Sequence, residues 1–143
     1  MHFSPEDKSR DIIPSSSWLA GRLMVVTGAS RGIGAATATI AAAAGAHVVL
    51  AARDGRALDG VTGRINDAGG QATAAATDVS DEAAVERLFA EVTRIGRLSA
   101  LVCAAGVLTP APFAGTTSAI WHETLGVNPK VPGAPAFETI KVF

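Results

Sequence analysis

Leu23-Met24-Val25-Val26-Thr27-Gly28-Ala29-Ser30-Arg31-Gly32-Ile33-Gly34 joins a short apolar run to a glycine-rich turn. Its apolar opening predicts a short buried strand that ends at Thr27-Gly28. A glycine-rich turn follows, then Ala-rich sequence to Ala44. Ile33, Thr37, Ile40, Ala41 and Ala44 fall on one helical face, the stripe expected toward a core. Gly45 is placed to end that helix in a left-handed cap. The strand–turn–helix pattern then recurs. His47 to Ala52 reads as a second buried strand, closed by Arg53-Asp54-Gly55. Leu58, Val61, Ile65 and Ala68 repeat at helical spacing, weakened by Gly60 and Gly63 and stopped by Gly69-Gly70. Gln71 to Thr77 is a third strand, a poor one because it is mostly alanine. Val85, Leu88, Phe89, Val92 and Ile95 mark an amphipathic helix, with Asp81 and Glu82 at its positive end and Gly96 after it. Leu98 to Cys103 is a fourth strand, and Ser118 to Leu125 a short helix. Alternation of this kind predicts an α/β fold, a parallel sheet with helices on both faces.

Outside this block the character changes. Residues 1–17 are polar, contain Pro5 and Pro14, and read as a flexible leader. Residues 18–128 hold the domain. Residues 129–143 carry Pro129, Pro132 and Pro135 and are expected to be irregular. The chain has 143 residues, enough for one domain or part of a larger one. Its net charge of −1 offers no basic footprint for nucleic acid or an anionic membrane. No charged residue occurs from Gly32 to Ala52, but that stretch is Ala, Gly and Thr broken at Gly45 rather than a membrane span. No signal peptide is recognisable, and the single cysteine, Cys103, cannot form an internal disulfide, so a cytoplasmic protein is expected. Cys103 ends a buried strand with no base partner and reads as a small core residue. His2, His47 and His122 fit no metal-ligand spacing, so no metal is expected.

The turn Thr27-Gly28-x-x-x-Gly32-x-Gly34 carries the chemistry. Between a strand and a helix, such glycines leave no side chain between backbone and a pyrophosphate. The helix start offers free N–H groups to its charge. A Walker-type phosphate loop is excluded, because no Lys-Ser or Lys-Thr follows the last glycine.

Thr27-Gly28-Ala29-Ser30-Arg31-Gly32-Ile33-Gly34 resembles the cofactor loop of the classical short-chain dehydrogenase/reductase family. Three further matches follow in order. Asp78-Val79 resembles the family's adenine-contacting pair, whose Asp bonds the adenine amino group. Ala105-Gly106 resembles the end of its Asn-Asn-Ala-Gly motif. Trp121 with Val127-Asn128 resembles the start of its next sheet-flanking helix, which implies that Asn128 is the water-holding Asn of a proton relay. The resemblance covers Leu19 to Asn128. It implies a Rossmann-type sheet of order 3-2-1-4, truncated so that the fourth strand is an open edge, and self-association through that edge. It implies a dinucleotide partner held by Thr27, Gly28, Ser30, Arg31, Gly32, Ile33, Gly34, Arg53, Asp78, Val79, Ala105 and Gly106.

The second strand bears on which dinucleotide. A site for the unphosphorylated ribose usually ends this strand in Asp or Glu. Here Ala52 is followed by Arg53, with Arg31 in the turn beside it, a pair suited to a 2′-phosphate. NADP(H) is therefore expected over NAD(H). The alternative is that Arg53 is a solvated charge and Asp54 serves the ribose.

Two departures from the family pattern stand out. Cys103-Ala104 replaces two asparagines. The family's chemistry also needs a Ser and a Tyr-x-x-x-Lys pair, whose Tyr moves the proton while hydride moves at the nicotinamide. This chain has no Tyr, and its lysines are Lys8, Lys130 and Lys141. The resemblance thus implies NADP(H)-dependent hydride transfer between nicotinamide and a carbonyl or alcohol, in a chain inactive alone. A non-catalytic dinucleotide-binding module and one half of a split enzyme are the alternatives. No substrate is legible.

Overall fold

The computed structural model describes residues 17–107, 112, 115–127 and 140–142. The elements are β1 (Leu23–Thr27), α1 (Gly32–Ala43), β2 (His47–Ala52), α2 (Gly55–Asp67), β3 (Gln71–Ala76), α3 (Glu82–Ile95), β4 (Leu98–Cys103), α4 (Ser118–Val127) and β5 (Ile140–Val142). The sheet order is β3-β2-β1-β4-β5. The first four strands are parallel, as the alternation predicts, with Val25 of β1 opposite Val49 of β2 and Leu101 of β4.

The fifth strand corrects one expectation. β5 runs antiparallel to β4, with Val102 opposite Ile140 and Ala100 opposite Val142, so β4 is not an open edge. Residues 140–142 of the expected irregular tail are therefore extended and paired. Ile and Val are β-branched and suit a pleated surface, and a three-residue strand is too short to show a period in sequence.

The period-two alternation of β1 divides the core. Val26, with Val48, Leu50 and Val102, faces α1 and α2 on one side, against Leu58, Val61 and Ile65. Val25, with Val49, Ala51 and Ala75, faces Leu88 and Val92 of α3 on the other. Burial on both faces explains why these strands are continuously apolar.

Helix α1 and its C-terminal cap bury Ala41 and Ala44 of the expected face but not the isoleucines. Gly34, Ala38, Ala41 and Ala42 are its buried residues, whereas Ile33 is 81% and Ile40 50% exposed. The helix is apolar all round, so hydrophobicity does not choose its face. Small side chains against the sheet allow a close approach, and the isoleucines are turned away. Both α1 and α2 end in a Schellman motif. Ala46 N–H donates to Ala41 O and Gly45 N–H to Ala42 O; Gly70 N–H donates to Ile65 O and Gly69 N–H to Asn66 O. Gly45 and Gly69 hold the left-handed positions (φ 97° and 85°). Gly96 occupies the cap of α3 in extended backbone instead.

Candidate functional site

A groove of about 620 Å³ opens at the carboxyl ends of the strands. The β1–α1 turn supplies Gly28, Ser30, Arg31, Gly32, Ile33 and Gly34; the end of β2 supplies Ala52, Arg53 and Asp54. The end of β3 adds Thr77, Asp78 and Val79, and the end of β4 adds Ala104 to Val107. Val127, the last residue of α4, completes the wall. The order 3-2-1-4 reverses direction between β1 and β4, and such a switch point is where open α/β sheets form crevices. A second hollow, about 410 Å³, lies at the opposite strand ends beside Arg22, His47 and Arg97, and shares no residue with this one.

Steric closeness explains Gly28 and Gly34, while Gly32 has open space beside it and holds a left-handed φ of 57°. A Cβ on Gly28 would stand 2.6 Å from Ala104 O and Ala105 N. A Cβ on Gly34 would stand 2.7 Å from the carbonyl carbon of Gly28. The turn therefore lies flat on the β4 exit, and α1 starts immediately behind it. Thr27 does not line the groove but fixes its floor. Its buried hydroxyl accepts from Ala105 N–H (3.2 Å) and reaches toward Val102 O (3.5 Å).

The helix starts differ in a telling way. Asp54 caps α2, accepting from Ala57 N–H, and Asp81 caps α3, accepting from Ala83 N–H. Thr117 does the same for α4 through Ile120 N–H. Helix α1 has no side-chain cap and no acidic residue in its first turn. Its opening residues Gly32, Ile33 and Gly34 line the groove, and the partial positive charge of an uncapped helix start favours an anion there.

Arg31 and Arg53 are both exposed at the rim. Among the described residues neither forms an ion pair. Asp54 sits beside them, yet one of its carboxylate oxygens is engaged as the α2 cap. On β3, Thr77 N–H donates to Ala52 O (2.8 Å), which ties the strand end to β2. Asp78 follows on the groove wall. Its Oδ1 accepts from Ser80 N–H (2.9 Å) and from Ser80 Oγ (2.7 Å).

The structure thus gathers eleven of the residues singled out in sequence around one cavity, with Thr27 beneath them. Asp54, the alternative ribose ligand, also lines it, and the structure adds Ala52, Ala57, Thr77, Ala104, Val107 and Val127. Asn128 lies outside the described residues, as do the leader before Ser17 and residues 129–139 of the tail. Trp121 is 59% exposed on α4 and does not line the groove. His47 pairs with Thr73 Oγ1 (2.8 Å) and His122 with Ser118 O (2.6 Å), both away from the groove. Cys103 is half-buried at the end of β4. Among the described residues no three metal-ligating side chains gather, and no helix is long and apolar enough to cross a membrane.

Sheet order, glycine turn and uncapped α1 define a Rossmann-type dinucleotide fold. Residues 22–132 match the family model for short chain dehydrogenases, and the chain belongs to that family. It is 42% identical over 113 residues to the glycine betaine reductase of Emericella nidulans, covering 78% of this chain and 9% of that protein. Among solved structures, the citronellol catabolism dehydrogenase of Pseudomonas aeruginosa superposes with a TM-score of 0.76 at 35% identity. A metagenomic short-chain oxidoreductase in complex with NADP gives 0.74 at 42% identity. These superpositions cover 81% and 79% of this chain, which spans 48% and 52% of those two.

Proposed function

We propose that this chain is the cofactor-binding part of an NADP(H)-dependent oxidoreductase. The observation that carries this is the uncapped start of α1, opening on a groove with two guanidiniums at its rim that form no ion pair among the described residues. The glycine turn suits a pyrophosphate, since Gly28, Gly32 and Gly34 line the groove with no side chain between backbone and ligand. Gly28, Ser30, Gly32, Ile33 and Gly34 hold the pyrophosphate, with the backbone of Ala105 and Gly106 opposite. Arg31 and Arg53 take the ribose 2′-phosphate. The capping role of Asp54 weighs against its serving the ribose hydroxyls. Asp78 accepts from the adenine amino group, and Val79 packs beside the ring. When bound, the nicotinamide supplies or accepts a hydride at a carbonyl or alcohol carbon. This chain's own residues bind and orient the dinucleotide, and Asn128 serves a proton relay.

The sequence has no Tyr, so the general acid of the family pattern is not among its residues. Loss of general acid–base help alone costs about 10²- to 10⁴-fold in rate. That favours a chain inactive by itself, with a dinucleotide-binding module or half of a split enzyme as the second reading. A cytoplasmic location is part of the same reading.

The purified chain should bind NADPH saturably, NADH more weakly, and S-adenosylmethionine not at all. It should show no carbonyl reductase activity alone. Indifference of a folded sample to all three ligands sinks the proposal.

A further inference from the structure

Ser80 does not line the groove, yet it holds the one carboxylate that does so from β3. Both its amide and its hydroxyl donate to a single oxygen, Asp78 Oδ1, at 2.9 and 2.7 Å. Asp81 N–H closes the same turn on Asp78 O (3.1 Å), and Asp81 then caps α3. The root of Asp78 is fixed as well, because Thr77 is tied to β2. The carboxylate is therefore set at both ends before any ligand arrives.

An ionised carboxylate only accepts hydrogen bonds. It suits a base that presents an exocyclic amine and repels one that presents a carbonyl at the same position. That discrimination depends on where the carboxylate points. Hydrogen bonds to a charged oxygen are the strong kind, so two of them fix its orientation firmly. From this geometry we infer that Ser80 is a positioning residue for base selectivity: it aims Asp78 so that the groove takes the amino-bearing adenine dinucleotide over its hypoxanthine (deamino) counterpart. The inference rests on the proposal that the groove binds such a dinucleotide.

The test compares NADPH with deamino-NADPH on the full chain, by direct titration. The wild-type chain binds NADPH more tightly. Ser80→Ala removes the hydroxyl donor and reduces that preference about tenfold. Ser80→Thr keeps the donor and restores it. Should Ser80→Ala fail to fold, Ser80→Cys keeps the volume with a weaker donor and gives the same reading. A merely structural role would weaken both ligands equally and leave their ratio unchanged, and that result overturns the inference while leaving the dinucleotide proposal standing. Failure of the wild-type chain to bind either ligand overturns both.

Discussion

Gly34 shows how much a single missing side chain carries. It stands in the first turn of α1, against the backbone of Gly28, and it is buried. The Gly34→Ala variant must move the helix start or the turn, because neither neighbour is a flexible side chain. We expect a loss of about 1–3 kcal/mol in urea denaturation, typical of overpacking, together with weaker NADPH binding. An unchanged midpoint would mean that the turn and helix have room to separate. The glycines were legible in sequence because their spacing between a strand and a helix expresses the requirement, whereas Asp78 was reached only through its resemblance to the family's Asp-Val pair. The capping role of Asp54 was not legible, since its position after the second strand does not announce a cap, and the bond from Ala57 N–H shows it.

At the scale of elements, the strands were readable because buried parallel strands are short, apolar and punctuated by turns, while their order came from the family resemblance. The face of α1 was not readable. Weighing Ile above Ala put Ile33 and Ile40 inward, while the sheet selected the small residues. Helix α2 protects the sheet through a feature that no periodicity reveals. β3 is an edge strand, and the Asn66 side chain both accepts from Ala72 N–H (2.9 Å) and donates to Ala72 O (3.2 Å). It imitates a neighbouring strand at that point, and edges so covered resist unwanted pairing. Asn66→Ala should cost about 1 kcal/mol for the two exposed bonds, read in urea denaturation, and leave the groove's ligand affinity intact. A large drop in affinity would show instead that α2 communicates with the groove.

For the whole molecule, the carboxyl ends of four parallel strands converge on one groove, and β4 is closed off by the three-residue β5, which becomes the sheet's edge strand. That closure was illegible because three residues beyond a proline-rich stretch carry no pattern of their own. It has a consequence for association. Removing residues 129–143 uncovers the backbone of Ala100 to Val102 on β4, and an unpaired apolar edge invites pairing with another chain. The shortened protein should sediment as larger, concentration-dependent species where the full chain does not. Equal behaviour of the two would show that β5 is dispensable as an edge cover.

A groove built for a phosphorylated dinucleotide is tested by the ratio of NADPH to NADH affinity in the wild-type chain and in Arg53→Ala. The guanidinium should matter only to the ligand that carries the 2′-phosphate. NADPH affinity should fall about tenfold or more, as expected for a charge-assisted contact, with NADH nearly unchanged and the preference abolished. Equal losses for both ligands, or a preserved preference for NADPH, would show that Arg53 does not read the phosphate.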